Sequence, residues 1–172
     1  MTDHEQIDAI DLRILSELQN DGRIRNNELA NRAGVSPPPC LRRVRSLVGR
    51  GFIRSIRAVL DERLLGFEVI SFVSIQLERQ AQATLQAFES AIAAAPFVQQ
   101  CWQISGDIDY LLKCIAPNLE AMHQQILGFA AMPNVRNIRS FVVLNTLKDG
   151  PLPLPKRQPT SYPAIAAPSG QE

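Results

Sequence analysis

The sequence predicts an α+β protein in two parts, and two observations lead to that prediction. Apolar residues recur at helical spacing up to about residue 50, whereas beyond residue 68 alternating apolar stretches typical of strands are interleaved with helical stretches. The charge also changes along the chain: between Arg23 and Arg57 there are nine arginines and one acidic residue, Glu28, while the rest is net acidic. This asymmetry predicts one half that binds an anionic polymer and another half with a different task.

The first helix is predicted over residues 8–19. Its apolar stripe consists of Ile7, Ile10, Ile14, Leu15 and Leu18. Asp8 is a favourable N-cap, Asp11 adds negative charge to the first turn, and Asn20-Asp21-Gly22 ends the helix.

A second helix is predicted to run to Ala33, with Asn26 or Asn27 as its N-cap and Gly34 as the residue that ends it. A third helix follows after a short turn. Two short helices joined by a tight turn that contains glycine form the helix-turn-helix pattern, in which the second of the pair enters the major groove of DNA.

A run of three prolines, 37–39, precedes the third helix. Proline is tolerated in the first turn of a helix but disfavours helical geometry at the residue before it. The helix is therefore predicted to start at Pro39, with Pro38 in an extended lead-in, and Gly51 follows its last turn. The stripe predicted to face the core consists of Leu41, Val44, Leu47 and Val48.

The other side of the third helix is cationic. Arg42, Arg45 and Ser46 are predicted to face away from the core, flanked by Arg43 and Arg50, and the helix contains no acidic residue. A helix with one buried face and one uniformly cationic face suits a groove lined by phosphates.

Two neighbouring segments extend this surface. The amide donors that Ser36 would cap belong to prolines, so its hydroxyl is free for a partner such as a DNA phosphate, or the segment is simply a stiff loop; the sequence leaves both open. Residues 52–60 are rich in β-forming side chains and predict a small wing. Its Arg54 and Arg57 either contact phosphates or are ordinary solvated strand residues.

The C-terminal part is predicted as β-α-β-β-α-β. The predicted elements are strands over residues 69–78, 97–105, 110–116 and 135–147, and helices over residues 81–95 and 117–132. This order is the ferredoxin-like, split βαβ arrangement. Because both helices of such a fold cover one face of the sheet, the other face is expected to be apolar and buried against a second copy.

Four segments are predicted in total. They are a winged helix-turn-helix domain over residues 1–60, a connector over 61–67, a ferredoxin-like domain over 68–148 and a flexible tail over 149–172. The tail contains six prolines and shows no periodicity.

Several classes of protein are excluded. No apolar run reaches the ~20 residues that span a membrane, and the polar, acidic N-terminus is no signal peptide, which predicts a cytoplasmic protein. The three cysteines lack paired spacing, as expected for reduced thiols. Neither His4 nor His123 has a partner at metal-ligand spacing, and no catalytic or nucleotide-binding motif is present. The sequence predicts no metal, no cofactor and no enzyme activity.

With both halves placed, the sequence resembles the leucine-responsive regulatory protein/AsnC (Lrp/AsnC) family of bacterial and archaeal transcription regulators. The resemblance rests on residues 7–15, on the stretch from Ser36 to Ile53 and on the "SGxxDY" turn at residues 105–110, and it spans residues 7–148. Pro38 departs from the pattern, because close relatives tend to have threonine there.

The resemblance implies a winged helix-turn-helix joined to an effector-binding domain, in dimers formed through the sheet and assembled into tetramers or octamers. It implies an amino acid or related metabolite as effector, bound between subunits near Gly106, Asp107 and Asp109. Apart from the resemblance, Leu119 is expected to be a lining residue. On chemistry alone, Gly106 offers N–H groups to a carboxylate and the aspartates suit an ammonium group, but an ordinary β-turn uses the same residues.

The predicted function is therefore sequence-specific regulation of transcription, with the chain on the nucleoid when bound to double-stranded DNA. The expected DNA-binding residues are Ser36, Pro38, Arg42, Arg43, Arg45, Ser46, Arg50, Arg54 and Arg57. The main alternative is a metabolite-binding oligomer with weak or architectural, non-specific DNA binding. An enzyme on a ferredoxin-like scaffold is the other alternative.

Overall fold

The computed structural model describes residues 7–79 and 81–155. Residues 1–6, 80 and 156–172, which include His4 and most of the predicted tail, lie outside the described residues. The chain divides into two compact units: one contains the residues up to Ala58 together with those from Asp149 onward, and the other is Val59–Lys148.

The first unit contains three helices, α1 (Ala9–Asn20), α2 (Asn26–Ala33) and α3 (Pro37–Gly49). The predicted cap of α1 is confirmed. The Asp8 carboxylate accepts hydrogen bonds from the N–H groups of Ile10 (2.9 Å) and Asp11 (2.8 Å), and the Asp11 carboxylate accepts one from the Asp8 N–H (3.3 Å). This reciprocal arrangement is a capping box, which satisfies amide donors that the helix itself leaves without partners.

The turn between α2 and α3 forms where glycine predicts it. Gly34 has a φ of 76°, a left-handed conformation that glycine adopts without steric cost. The predicted N-cap of α2 is wrong: Arg25 occupies the N-cap position, and neither Asn26 nor Asn27 caps the helix. Asn26 instead donates from Nδ2 to the Pro37 carbonyl oxygen at 2.9 Å, because α3 begins close enough to compete for its side chain.

The predicted start of α3 is also wrong. The helix begins at Pro37, two residues earlier than expected, so that all three prolines lie in its first turn. This is possible because the first three N–H groups of a helix have no hydrogen-bond acceptor within it. A proline at one of these positions therefore costs the helix no hydrogen bond. The Cys40 N–H makes the first bond, to the Ser36 carbonyl oxygen at 3.2 Å.

The buried side of α3 is rotated from the predicted stripe. Cys40 and Leu47 are fully buried and Val44 packs at the edge of the core, whereas Leu41 and Val48 are 40% and 50% exposed. The small thiol of Cys40, rather than the larger Leu41, lies against the other two helices. The core of this unit consists of Ile14, Leu29, Ala30, Ala33, Cys40 and Leu47.

The β-strand predicted for the wing does not form in the first unit. Residues 53–61 form no regular secondary structure, and only Ile53 among them is packed against the core of the first unit. A strand needs a hydrogen-bonding partner, and within residues 7–58 there is no other strand to supply one. The segment is therefore irregular and, apart from Ile53, exposed.

The second unit confirms the predicted order of elements. They are β1 (Val69–Leu77), α4 (Gln82–Ala93), β2 (Val98–Gln103), β3 (Tyr110–Ala116), α5 (Leu119–Ala130) and β4 (Val135–Val142). The four strands form one antiparallel sheet in the order β2-β3-β1-β4. β4 ends five residues earlier than predicted, because its partner β1 begins at Val69. The last pair of the ladder is Ser71 with Val142, followed by one hydrogen bond from the Val143 N–H to the Ile70 carbonyl oxygen.

The two faces of the sheet differ in what covers them. One face packs against α4 and α5 to form the core. Val73, Ile75 and Leu112 of the sheet meet Phe88 of α4 and Phe129 of α5 there. The register places alternate residues on the opposite face, which has no helix of this unit packed on it. On this face Trp102 and Phe141 are exposed and Phe72 and Leu111 are half-buried, whereas Ile115 is buried.

Candidate DNA-binding surface and effector pocket

The outward side of α3 carries Arg42, Arg45 and Ser46, and all three are exposed as predicted. At ~100° per residue these positions share one side of the helix. Within the described residues neither arginine has an acidic partner at ion-pair distance. The two guanidinium groups therefore present uncompensated positive charge and ten N–H donors to solvent.

Arg43 is placed differently from the arginines on either side of it. Its Nη1 donates to the Asp8 Oδ2 at 2.7 Å and to the Asp11 Oδ1 at 2.8 Å, so its guanidinium is turned toward the start of α1. The carboxylate of Asp11 is among the few charged groups buried in the described structure, with the residue only 7% exposed. A carboxylate taken out of water needs such a partner.

The remaining expected DNA contacts lie at the two ends of α3. Ser36 is the N-cap residue, and its side chain makes no capping hydrogen bond, which confirms that the hydroxyl is not used within the helix. Pro38 lies in the first turn and offers no N–H. At the other end the Arg50 guanidinium lies 4.8 Å from the centre of the Phe52 ring, and Arg54 and Arg57 are exposed on the irregular segment beyond it.

The charge of Asp8 makes the stability of this unit depend on pH. The hydrogen bond from the Asp11 N–H, helped by Arg43 and opposed by burial, holds the pKa of the Asp8 carboxyl below its usual value of 3.8. A group whose pKa is lowered on folding stabilises the fold above its unfolded pKa, and this contribution is lost as the pH falls through the folded value.

We expect Asp8→Asn to lower the free energy of unfolding at pH 7 by up to ~1 kcal/mol, the usual limit for an exposed ion pair. Asparagine is also a good N-cap, so the change removes the charge and keeps the cap. The difference between the two proteins should vanish once the pH has fallen through the lowered pKa of Asp8 in the folded state, because both side chains are then neutral. Urea unfolding followed by circular dichroism from pH 2 to 7 measures this, and a constant difference across that range would contradict it.

The turn between β2 and β3 borders a pocket of 280 Å³ in the second unit. Gly106 has a φ of 125°, which side-chain-bearing residues rarely adopt, and the Ile104 N–H donates to the Asp109 carbonyl oxygen at 3.0 Å across the turn. The lining residues are Leu85, Gln103, Ile104, Ser105, Gly106, Ile108 and Asp109. The pocket thus combines backbone groups, one carboxylate and the apolar side chain of Leu85.

The structure separates the four residues expected at the effector site. Gly106 and Asp109 line the pocket, whereas Asp107 is exposed outside its lining and Leu119 is 61% exposed at the start of α5. Asp109 also has a structural task, because its Oδ2 accepts a hydrogen bond from the Leu77 N–H at 2.7 Å and so attaches the turn to the end of β1. Neither Leu85, which has the helical spacing of an inward-facing residue, nor Gln103, which carries no local signal, was predicted from the sequence to lie at this site.

A larger hollow of 570 Å³ lies where the connector meets the sheet in the same unit. Asp61, Glu62 and Glu68 line it together with a single guanidinium, that of Arg63. Three carboxylates around one arginine oppose the carboxylate of an amino acid, so the pocket at the turn suits such a ligand better.

The described residues offer neither a metal site nor a membrane span. Across residues 7–79 and 81–155, no three histidine, cysteine or acidic side chains are grouped so that they could hold a metal ion. The helices of that same part of the chain are all too short or too polar to cross a membrane.

Two models of known protein families match the chain, one in each half. Residues 7–54 match the family model described as "Winged helix-turn-helix DNA-binding", and residues 70–153 match the one described as "Lrp/AsnC ligand binding domain". The two halves are thus those of a transcription regulator that has a DNA-binding domain and a ligand-binding domain.

Individual relatives agree with this class. The chain is 43% identical to the leucine-responsive regulatory protein of Rhizobium meliloti, over 84% of this chain and 93% of the relative. It is 41% identical to the Escherichia coli K12 protein of the same name, over 84% and 88%. Among solved structures, the Neisseria meningitidis regulator NMB0573 in complex with L-Met has a TM-score of 0.82 at 30% identity, covering 86% of this chain and 97% of that one.

An AsnC family regulator from Agrobacterium tumefaciens is similar to the same degree, with a TM-score of 0.81 at 30% identity over 86% of this chain and 97% of that one. The chain belongs to the Lrp/AsnC family of transcriptional regulators. The fold class and the general function predicted from sequence are thereby confirmed.

Proposed function

We propose that this regulator reads a specific DNA sequence with α3 and that an amino acid or related metabolite, bound between subunits at the 104–109 turn, alters its DNA binding or its assembly. The observation that supports the proposal most directly is the positive charge of Arg42 and Arg45 on the outward side of α3, which no acidic side chain of residues 7–79 and 81–155 pairs with. Such a surface on a helix of this motif suits the major groove.

The arginines divide into two tasks in this proposal. Arg42 and Arg45, with Ser46, reach base edges, where arginine can donate two hydrogen bonds to guanine. Ser36, Arg50, Arg54 and Arg57 contact phosphates and set the register of the protein on the duplex. Pro38 supplies rigidity rather than a hydrogen bond. Two such helices from a dimer would enter successive major grooves ~34–36 Å apart.

The proposed effector is an amino acid because the pocket offers a partner for each of its three groups. Backbone N–H groups near Gly106 suit the carboxylate, the Asp109 carboxylate suits the ammonium group, and Leu85 suits an apolar side chain. The solved relative from Neisseria is a complex with L-Met, which has all three groups. Asp107 is exposed at the turn and Leu119 is exposed at the start of α5, and both are proposed to meet the neighbouring subunit.

An oligomer is proposed from the uncovered face of the sheet. Trp102 is 41% exposed and Phe141 is 56% exposed, and with Phe72 and Leu111 they form an apolar surface of the kind that marks an interface. A second copy placed on this face would form a two-fold dimer, and dimers would assemble further. The proposed site of action is the cytoplasm, on the nucleoid, since DNA is the target, and the proposed action is binding rather than catalysis.

The effector is proposed to act by population shift, so it can change DNA binding only by its differential affinity for the two states. The test selects an operator from random duplex DNA and then measures operator and unrelated-DNA affinities with each of the twenty amino acids. Selective binding that one amino acid changes supports the proposal. Equal affinity for every duplex at matched salt would favour the architectural alternative, and selectivity that no amino acid alters would contradict the effector.

The turn itself gives a sharper test of the pocket. Gly106→Ala forces a side chain into a φ of 125°, and such strain costs ~1–3 kcal/mol or displaces the backbone. We expect effector affinity to fall about tenfold, because the displaced N–H groups no longer match the ligand carboxylate. Operator affinity without effector should stay within twofold, as measured by calorimetry and fluorescence anisotropy.

Gly128→Ala is the matched control, because Gly128 lies in α5 with helical geometry and a Cβ there meets no atom within 4 Å. It should keep full effector affinity and gain ~0.5–1 kcal/mol of stability. If Gly106→Ala bound the effector as tightly as this control, the pocket would be assigned wrongly.

A further inference from the structure

Arg43 lies at the boundary between the two sides of α3. Taking ~100° per residue, Val44 and Leu47 lie on one side of it and Arg42, Arg45 and Ser46 on the other. Any rotation of α3 about its own axis that moves Arg43 therefore moves the outward side by the same angle. A group that fixes the direction of Arg43 also fixes the direction of the neighbouring arginines.

The guanidinium of Arg43 is hydrogen-bonded to a carboxylate that is held in place by burial. The Asp11 carboxylate is buried, and it already accepts a hydrogen bond from the Asp8 N–H within the capping box of α1. The single nitrogen Nη1 of Arg43 donates to both carboxylates, at 2.7 and 2.8 Å. This cluster of Asp8, Asp11 and Arg43 is termed the α1–α3 clamp.

The α1–α3 clamp adds directional hydrogen bonds to the contact between α1 and α3, which the apolar core does not supply. Cys40 and Leu47 hold α3 against the other helices, but hydrophobic contact is not directional and tolerates small rotations. Charged hydrogen bonds from a planar guanidinium have a narrow angular range. The directional element between α1 and α3 is thus a side chain that sequence reasoning placed among the DNA contacts.

We propose that Arg43 is a positioning residue that does not contact DNA, and that the α1–α3 clamp sets the rotation of α3 and so the aim of Arg42, Arg45 and Ser46. The inference rests on the proposed DNA interface and concerns how that interface is held in register. Specific binding, which needs hydrogen bonds aimed at base edges, depends on the clamp. Non-specific attraction to phosphates does not.

Replacing Asp11 by asparagine is expected to change operator affinity in opposite directions, depending on whether Arg43 contacts a phosphate or positions α3. If Arg43 contacted a phosphate, Asp11→Asn would release that arginine and remove a negative charge near the DNA, so binding would become tighter. If Arg43 positions α3, the same change loosens the clamp and weakens binding to the operator. Asparagine can still accept the Asp8 N–H, so the capping box is retained.

The experiment uses the full chain and an operator selected from random duplex DNA. Affinities of the wild type, Arg43→Gln and Asp11→Asn are measured for the operator and for unrelated duplex between 50 and 200 mM salt, a range in which phosphate contacts change affinity strongly. Thermal melting confirms that each variant is folded at the assay temperature. Arg32→Gln is the matched control, because Arg32 on α2 pairs with Glu17 on α1 and with Glu28, so its loss leaves α3 untouched.

We expect Arg43→Gln to weaken operator binding about tenfold, to change unrelated-DNA binding by less than twofold and to leave the salt slope unchanged. Asp11→Asn should also weaken operator binding, and Arg32→Gln should keep the ratio of specific to non-specific affinity. The proposal is overturned if Arg43→Gln lowers the salt slope by about 0.9, the value for one phosphate contact, or if Asp11→Asn binds the operator as tightly as the wild type or tighter.

Two further results are informative. If Arg43→Gln does not fold, Asp11→Asn alone decides the question by the sign of its effect. If Arg42→Gln changes neither the affinity nor the salt slope, the proposed DNA interface fails independently of the clamp. The failure of the interface and the failure of the clamp are therefore distinguishable.

Discussion

Replacing Arg42 and Arg45 together by glutamine is expected to reduce operator affinity by a factor of about 10²–10³. Each guanidinium that donates two hydrogen bonds to a base contributes ~1–3 kcal/mol of discrimination, and the two lie on the same exposed side of α3. Glutamine keeps the helix propensity of arginine, so the fold should not change. Fluorescence anisotropy with the selected operator at fixed salt measures the loss.

The ratio of specific to non-specific affinity and the salt slope show whether the two arginines contact bases or phosphates. The ratio of operator to unrelated-DNA affinity should collapse if the arginines read bases, whereas the salt slope should fall by up to about 1.8 if both contact phosphates instead. The control is Arg32→Gln, whose lost charge lies on α2. A folded double variant that binds the operator like the wild type would show that α3 is not the DNA-reading element.

The second large effect is expected in the core of the second unit. Phe129 is fully buried, and its ring centre lies 5.6 Å from that of Phe97. Phe129→Ala removes these contacts and leaves a cavity, so it should lower the free energy of unfolding of this unit by ~3–5 kcal/mol. Trp102 is the single tryptophan of the chain and lies in this unit, so its fluorescence reports unfolding there during a urea titration.

Leu127→Ala on the same helix is the matched control. Leu127 is 48% exposed, so its truncation creates no cavity and should cost under ~1 kcal/mol. Equal effects of the two substitutions would mean that the packing of α5 differs from the one described.

Most of the second unit could be predicted from its sequence because its signals are local and agree with one another. Alternate apolar residues in β1 end up buried with Val73 and Ile75 at the centre of the sheet, and Asn118 caps α5 with its own side chain at 2.8 Å from the Ala121 N–H. The "SGxxDY" turn adopts the positive φ that its glycine allows. Burial and capping are decided within a few residues, so the sequence displays them.

Two of the errors in the first unit have a common cause. The N-cap of α2 is not Asn26 because that side chain bonds to Pro37 in the next helix, and the predicted wing has no strand to pair with. In both cases a partner from elsewhere in the fold, or its lack, decided the outcome. The early start of α3 has a local cause, because the first turn of a helix needs no N–H donors and so accepts all three prolines.

The sequence by itself determined that this protein has an arginine-rich helix-turn-helix half and a β-α-β-β-α-β half with a glycine–aspartate turn, because composition, periodicity and caps are properties of short segments. Only the tertiary structure decided what each arginine contacts. Helical spacing puts Arg42, Arg43 and Arg45 on one helix without saying which of them meets Asp8 and Asp11 on another. It likewise decided that Asp109 is bound to β1, since a hydrogen bond between residues distant in the chain depends on how the elements pack.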